Sequence, residues 1–192
     1  MTEVAHHSGL RAVLGEAQRI GALGSAPLTE IIEHARAFAD ALPDSVATCI
    51  DLGSGAGIPG LVVAVARPSM RLTLVDRRAK RTDALKRAIH ALDIADRVSV
   101  ICADMTHLAR QPEVRHQFDA AVTRGFGPPD ITLRTASACV RSGGVVIISE
   151  PPADQPTRWT PVLLGQADIT SWERHGPVAR FHVEHSHTHK PL

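Results

Sequence analysis

The spacing of apolar residues changes near residue 45, and this change predicts two kinds of structure. Over residues 9–20 and 28–42 apolar residues recur at helical spacing, which predicts two N-terminal helices. Beyond residue 45 they form short continuous runs rich in valine and isoleucine, which are typical of buried strands in a parallel sheet. The predicted strands lie at 46–52, 71–76, 97–102, 118–123 and 144–149.

Segments with helical spacing separate most of these strands, at 58–68, 79–92 and 131–141, whereas residues 104–117 follow neither period. Strands that alternate with helices form a parallel sheet covered on both faces. We therefore expect an α/β fold with a Rossmann-like, mostly parallel sheet, preceded by N-terminal helices. The stretch PVARFHVEH near the C-terminus predicts one last, antiparallel strand.

The same pattern predicts a single domain with three parts. Residues 1–45 form the N-terminal helices, residues 46–150 the core sheet with its ligand site, and residues 151–192 a loop, the final strand and a histidine-rich tail. A chain of 192 residues is long enough to bury such a core.

Composition and charge narrow the classes of function. The formal net charge is +1, so a nucleic-acid contact would be a local patch rather than a uniformly basic surface. Aromatic residues make up 3% of the chain, which argues against rows of stacked bases. No apolar segment approaches the roughly 20 residues of a membrane helix, and the N-terminus lacks a secretory layout, so we expect no membrane contact. Cys49, Cys102 and Cys139 are odd in number and far apart, which predicts reduced thiols in a cytoplasmic protein.

The loop DLGSGAGIPG (51–60) follows the first core strand, where open α/β sheets bind nucleotides. A carboxylate at Asp51 would oppose a pyrophosphate at the helix N-terminus, but it complements the sulfonium and ammonium groups of S-adenosylmethionine. We therefore expect S-adenosylmethionine as the cofactor. Gly53, Gly55 and Gly57 would let the backbone pass close to it. The alternative is a tight turn that binds nothing.

Two further carboxylates follow the next strands. Asp76 ends the second strand, where it is placed to accept hydrogen bonds from two ribose hydroxyls; the alternative is a solvated loop carboxylate. Asp104 follows the third strand and is a candidate to accept the adenine amino group, with Met105 packing on the ring. The alternative for Asp104 is a helix cap.

With these residues in place, the chain resembles the small-subunit (16S) ribosomal RNA guanine-N7 methyltransferase family, also called glucose-inhibited division protein B. The resemblance covers residues 30–144 and is most specific in DLGSGAGIPG, because the Ile-Pro-Gly ending is typical of that family. The other matching stretches are EIIEHARAFADAL with His34, DRRAKRTDAL with Asp76, Lys80 and Arg81, and FDAAVTRGFGPP with Arg124.

The resemblance implies a class I methyltransferase fold, S-adenosylmethionine as cofactor, and ribosomal RNA or the small ribosomal subunit as partner. It implies cofactor contacts at Gly53, Ile58 and Arg124. A further pair of contacts just after the third strand falls near Met105 and Thr106.

The chain departs from the family in its substrate half. Residues 1–45 lack the family's Trp-Asn and Asn-Leu-Thr signature, and the fifth strand ends in SEPP, with Glu150 near the position of a family lysine. A carboxylate at an RNA-binding face would disfavour the phosphate backbone. A small-molecule methyltransferase on the same fold, and a noncatalytic cofactor-binding paralogue, are therefore alternatives.

The candidate chemistry needs few groups. Guanine N7 carries a lone pair and no proton, so its methylation needs no general base. In agreement, the fourth strand is not followed by an Asn/Asp-Pro-Pro-Tyr motif; GPPD (127–130) has the prolines without the aromatic residue. Arg124 is the best active-site candidate, holding cofactor or substrate. Its alternative is a surface arginine bridging to Asp119 or Asp130.

Two charged segments remain. The basic cluster RRAKR (77–81), continued by Lys86 and Arg87, is either a local RNA footprint or a solvated helix face supported by pairs with Asp83. In the tail we expect a disordered end rather than a metal site, because no cysteine or aspartate partner accompanies its histidines. These histidines are His182, His185, His187 and His189.

Overall fold

The structure, a computed structural model, describes residues 3–185. Within this range the chain forms a seven-stranded sheet with helices on both faces. The helices are α1 (Glu3–His6), α2 (Ser8–Arg19), α3 (Leu28–Asp40), α4 (Gly60–Ala66), α5 (Ala79–Ala91), α6 (Met105–Leu108), α7 (Pro129–Cys139) and α8 (Pro161–Gln166). The strands are β1 (Thr48–Leu52), β2 (Arg71–Asp76), β3 (Val98–Cys102), β4 (Phe118–Thr123), β5 (Val140–Ser149), β6 (Ile169–His175) and β7 (Val178–Val183).

The strand order across the sheet is β3-β2-β1-β4-β5-β7-β6. Strands β1 to β5 are parallel to one another, β7 runs antiparallel to β5, and β6 runs antiparallel to β7. The register pairs Asp51 with Leu74 on one side and with Val122 on the other. The carboxyl ends of β1, β2 and β4 therefore meet at one edge. The predicted α/β fold with a mostly parallel sheet is confirmed.

The predicted final strand is confirmed as β7, but it pairs with a strand, β6, that the apolar pattern did not predict. β6 lies at the edge of the sheet, and Ile169 is its one buried residue. Its sequence therefore lacks the alternation that a half-buried strand shows. β5 also begins earlier than predicted, at Val140, directly after α7. Residues 104–117 contain the single-turn helix α6 and an irregular connection to β4.

The sheet separates two apolar cores. The first lies under α2, α3, α4 and α5, and it includes Leu10 and Leu14 of α2 and Phe38 of α3, each fully buried. The second lies under α6, α7 and α8, and it includes Leu133 and Phe181. Each such side chain contributes about 1.5–3 kcal/mol on burial. The N-terminal helices therefore form part of the layer that covers the first face.

No helix in the described part of the chain is both long enough and apolar enough to cross a bilayer.

Candidate functional site

The candidate residues gather where the parallel strands end. Asp51 and Asp76 lie at the carboxyl ends of β1 and β2, and Asp104 and Arg124 follow β3 and β4. Ligands of open α/β sheets bind beyond this edge. The structure therefore brings residues that are far apart in sequence to one candidate site, which we call the strand-end cleft.

The glycine loop is fastened to β2. The amides of Gly53 and Ser54 both donate to the Val75 carbonyl at 2.9 Å, and the Ser54 hydroxyl accepts from the Val75 amide at 3.0 Å. Gly53, Gly55 and Gly57 have φ values of +77°, +57° and +96°, in the region that glycine adopts without strain. Glycine therefore occupies the positions where this turn requires a positive φ.

Gly60 is a functional position that the sequence analysis did not select. Its amide begins α4 and donates to Asp51 Oδ2 at 3.1 Å. A Cβ at this position would lie 2.4 Å from that oxygen and 2.4 Å from Leu74 Cδ2. Gly60 is therefore required for the carboxylate to sit against the helix, and the Ile-Pro-Gly ending of the loop was the available signal.

Asp51 is fully buried and incompletely satisfied. Oδ2 accepts from Gly60, but Oδ1 has no hydrogen-bond partner among the described residues. Burial raises the pKa of Asp51 to about 7, and the nearby Asp76 charge adds to the rise, while the Ser54 hydroxyl, the Gly60 amide and the Arg124 charge oppose it. Buried polar atoms normally have partners, so this oxygen is suited to accept from a ligand donor.

Asp76 is also buried, at 3% exposure, so the alternative of a solvated loop carboxylate is wrong. Oδ2 accepts from the Gly55 amide at 3.0 Å and from the Arg81 guanidinium at 3.3 Å, and Oδ1 accepts from the Arg78 amide at 2.9 Å. A carboxylate has about four acceptor sites. Asp76 therefore keeps capacity for a ligand hydroxyl while it holds the glycine loop.

Asp104 caps α6, as its alternative interpretation predicted. Oδ1 accepts from the Thr106 hydroxyl at 2.6 Å and from the amides of Thr106 and His107 at 2.9 and 3.2 Å. These bonds, with the charge of Arg77, lower the pKa of the Asp104 carboxyl. Oδ2 makes no hydrogen bond to the described residues and remains able to accept from a ligand. Met105 is 7% exposed and packs in the second core.

Arg124 stands at the mouth of the cleft. Its charge lowers the pKa of Asp51, and together with burial, the larger cause, it lowers the pKa of His34 on α3. Arg124 thus lies near both groups. The alternative of a bridge to Asp119 is wrong, because Asp119 pairs with Arg141 at 2.8 Å. In the described chain Arg124 likewise forms no salt bridge with Asp130.

The loop after β4 covers the glycine loop through a residue that the sequence analysis missed. A Cβ at Gly53 would lie 3.1 Å from Phe126 Cβ, so the two loops are in close contact. The Thr123 hydroxyl ties them together: it donates to the Leu52 carbonyl at 2.7 Å and accepts from the Gly125 amide at 3.0 Å. Ile58 points into the first core, so a cofactor contact there would involve its backbone.

Glu150, which lies near the position of a family lysine, is buried and paired inside the protein. It is 8% exposed, and Oε1 accepts from the Trp159 indole at 2.8 Å and from Arg158 at 3.1 Å. Arg174 lies 3.9 Å from Oε2. The carboxylate is therefore neutralised inside the protein, between β5 and the loop that follows it.

The basic cluster divides between two surfaces. Lys80, Arg81 and Arg87 line a groove between α2 and α5, whereas Arg77 and Arg78 are exposed before α5 begins. The predicted support from Asp83 is wrong: within residues 3–185, Asp83 forms no salt bridge with the neighbouring cations of α5. The cluster is therefore not a self-neutralised helix face.

The histidine-rich tail begins inside regular structure. His182 belongs to β7, and His185 contacts Asp168 at 2.9 Å and stacks on His116 with ring centroids 3.7 Å apart. The expectation of a disordered end is therefore wrong for these two histidines. His187 and His189 lie outside the described residues. Among the described ones, no group of three or more metal-ligating side chains is arranged to hold a metal ion.

Comparison with known proteins adds the decisive observation. Residues 10–150 match the family model GidB, rRNA small subunit methyltransferase G. The chain belongs to this family. The match to the rRNA small subunit methyltransferase G family contains every candidate residue of the strand-end cleft, and it ends at Glu150.

Curated relatives named ribosomal RNA small subunit methyltransferase G show the same similarity. The relative from Synechococcus sp. (strain WH7803) is 34% identical over 105 residues, which cover 55% of this chain and 41% of the relative. The relative from Rhizorhabdus wittichii is 45% identical over 87 residues, which cover 45% and 38%. The chain spans about two fifths of the length of these relatives.

Solved structures share the fold at low sequence identity. The mitomycin 7-O-methyltransferase MmcR superposes with a TM-score of 0.62 at 17% identity, covering 93% of this chain and 58% of MmcR. A Corynebacterium glutamicum protein superposes with a TM-score of 0.61 at 15% identity, covering 95% and 92%. At these identities the similarity establishes the methyltransferase-like fold alone.

Proposed function

We propose that the protein is an S-adenosylmethionine-dependent methyltransferase that acts on ribosomal RNA of the small subunit, at guanine N7. Asp51 carries the cofactor assignment: it is a fully buried carboxylate with one unpartnered oxygen, directly below the glycine loop. A phosphate-bearing dinucleotide would meet this charge unfavourably, whereas an ammonium or sulfonium group complements it. Membership of the rRNA small subunit methyltransferase G family supports both the chemistry and the substrate.

The cleft offers one group for each polar part of the cofactor. Its amino-acid end is a zwitterion, and Asp51 and Arg124 supply the two opposite charges near each other. In this proposal Asp76 accepts from the ribose hydroxyls, and Asp104 accepts from the adenine amino group through Oδ2, which makes no hydrogen bond to the described residues. The Gly53–Gly57 backbone would lie along the cofactor, with Thr106 near the adenine. When bound, S-adenosylmethionine supplies an electrophilic methyl group.

The protein's part in the transfer is alignment. A displacement at the methyl carbon needs the acceptor nitrogen in line with the leaving sulfur, and it needs no proton removed from guanine N7. Burial and the Arg124 charge lower the pKa of His34, which favours its neutral imidazole form. Arg124 positions the cofactor, and it is the catalytic residue in this proposal.

An exposed basic rim beside the cleft supports RNA rather than a metabolite as the substrate. Arg77 lies close enough to Asp104 to lower its pKa, so this cation and the exposed Arg78 stand beside the cleft, with Arg124 on the other side. Glu150, which would have weakened a phosphate contact, is neutralised by Arg158 and Arg174. The rim therefore presents cations where an RNA backbone would approach.

Methyl transfer from labelled cofactor to small ribosomal subunits of a strain lacking this protein tests the proposal. We expect label in 16S RNA at a guanine that becomes sensitive to N7-methylguanine-specific cleavage, and loss of label with Arg124→Ala. Labelled RNA without such cleavage would keep the methyltransferase and reject the N7 assignment. Cofactor binding with no transfer to RNA would favour a noncatalytic paralogue, and transfer to free nucleosides alone would favour a small-molecule enzyme.

A further inference from the structure

A second cavity lies outside the strand-end cleft, between α2 and α5. Its volume is about 610 Å³, which is in the range of small-molecule sites. Its walls are mostly small apolar side chains, and because such side chains are short, the two helices leave space between them. They include Ala12, Val13 and Ala17 of α2, and Ala84 and Ala88 of α5.

The two helices run in opposite directions along this groove. A Cβ at Gly9, near the start of α2, would lie 3.3 Å from Leu92, just beyond the end of α5. The end of α2, with Ile20, therefore lies beside the start of α5, with Lys80. Gly55 and Ala56 of the glycine loop line the groove as well. One end of the groove thus adjoins the strand-end cleft, and the other end lies between the start of α2 and the end of α5.

The charges along the groove are unbalanced. Lys80, Arg81 and Arg87 face it from α5. Among residues 3–185, Lys80 and Arg87 form no salt bridge, and Arg81 pairs with Asp76. The one acidic lining residue, Glu16, pairs instead with Arg19 at 2.6 Å. Lys80 also lies in the first turn of α5, where the helix dipole favours an anion.

We propose that this groove is a binding site for a small anionic amphiphile, such as a medium-chain carboxylate. The anionic head would lie against Lys80 at the glycine-loop end, and the apolar chain would run between α2 and α5 towards Ala91. The apolar walls explain the need for a hydrocarbon body, and the unpaired cations explain the need for a negative head. An RNA strand would leave the apolar walls of the groove unused.

The site would be coupled to the strand-end cleft through one shared residue. Arg81 lines the groove and also donates to Asp76, which holds the Gly55 amide. A head group that draws Arg81 towards the groove changes the environment of Asp76 without occupying the cleft. The proposal does not depend on the function proposed above, because it uses no step of methyl transfer.

Calorimetric titration of the full chain with decanoate, and with the uncharged decanol, tests the site. We expect saturable 1:1 binding of decanoate that persists in saturating S-adenosylhomocysteine. Lys80→Gln should weaken the binding of decanoate by about threefold, which corresponds to the loss of one exposed ion pair, and leave the binding of decanol unchanged. Lys86→Gln is the matched control, because Lys86 is exposed on the same helix and does not line the groove.

A filling variant tests the apolar half. Ala12 is exposed and lines the groove, so the variant Ala12→Phe should fold, and an unchanged midpoint of thermal unfolding would show this. Because the larger side chain fills the groove, it should weaken the binding of both ligands by about tenfold or more. Ala95→Phe, on an exposed turn away from the groove, should change neither. Absence of saturable decanoate binding, binding insensitive to Ala12→Phe, or displacement by S-adenosylhomocysteine would each overturn the proposal. Loss of S-adenosylhomocysteine binding alone would bear on the strand-end cleft and not on this site.

Discussion

Asp51 should make cofactor binding depend on pH near neutrality. Burial raises the pKa of this carboxyl to about 7, so at pH 6 most molecules carry it protonated. A cationic ammonium favours the ionised form, so binding releases a proton and affinity rises with pH until Asp51 is ionised. We predict that S-adenosylhomocysteine binds about tenfold more tightly at pH 8 than at pH 6.

Asp51→Asn supplies the control for this prediction. The amide oxygen of asparagine can still accept from the Gly60 amide, so the loop should keep its shape. Binding should become weaker and nearly independent of pH between 6 and 8. Calorimetry in two buffers of different ionisation enthalpy would measure the released proton directly. An equal pH dependence in both proteins would show that Asp51 is not the titrating group.

Asp76 should contribute to cofactor affinity by a directly measurable amount. Asp76→Ala should weaken the binding of S-adenosylhomocysteine by about 1–3 kcal/mol, which is the typical cost of removing one partner of buried hydrogen bonds. Part of this loss would come through the Gly55 amide, which loses its acceptor. Asp83→Ala, on the exposed face of α5, is the control and should bind as the parent does. Unchanged affinity of Asp76→Ala would remove Asp76 from the cofactor site.

The predictable residues share one property: they follow apolar runs directly. Because the runs are parallel strands, their ends meet, and Asp51, Asp76 and Asp104 could be placed together from the runs alone, whereas the role of Arg124 was implied by the family resemblance. Phe126 could not be selected, because its role depends on the position of another loop. Gly60 had a signal in the Ile-Pro-Gly ending, but its contact with Asp51 follows only from the folded structure. The helix cap at Asp104 was visible as an alternative, since an aspartate before a helix has that ordinary use.

At the scale of elements, the segment after β5 makes contacts that the sequence pattern does not predict. The sequence did not show whether Glu150 faces a ligand, because its partners Arg158, Trp159 and Arg174 lie in a loop and in an edge strand without periodic patterning. Contacts of this kind join segments that have no local signal. β6 escaped prediction for the same reason, whereas the buried strands β1 to β5 were evident from their apolar runs.

Glu150 should therefore matter for stability. Removing one partner of a buried ion pair leaves the other charge uncompensated, and Glu150→Gln leaves Arg158 and Arg174 beside a neutral group. We predict that Glu150→Gln lowers the free energy of unfolding, measured with denaturant, by about 1–3 kcal/mol. Glu184→Gln, an exposed change near the end of β7, should have no effect. A double variant with Arg158→Gln should lose less than the sum of the single changes, and additivity would show that the pair is not coupled.

At the scale of the whole molecule, a net charge of +1 means that any RNA affinity must arise from local cations. The candidate patch is the rim of the strand-end cleft, and its simplest probes are Arg77 and Arg78. The amino end of β2 supplies the matched control in Arg71, which is exposed at the opposite edge of the sheet. Arg71 is the first residue of β2, and Arg77 and Arg78 follow its last residue, so the control lies far from the cleft and the two probes lie beside it.

We predict that 16S RNA binding weakens as salt increases, and that Arg77→Gln with Arg78→Gln lowers the slope of log affinity against log salt by about one for each phosphate that is no longer neutralised. Arg71→Gln should leave the slope unchanged, because no phosphate is expected at that edge. Electrophoretic titrations at several salt concentrations would measure all three slopes. If Arg71→Gln lowers the slope as much as the rim changes do, the RNA-binding surface is diffuse. If no variant changes it, the RNA path lies elsewhere, and the cations of the rim serve the cofactor cleft alone.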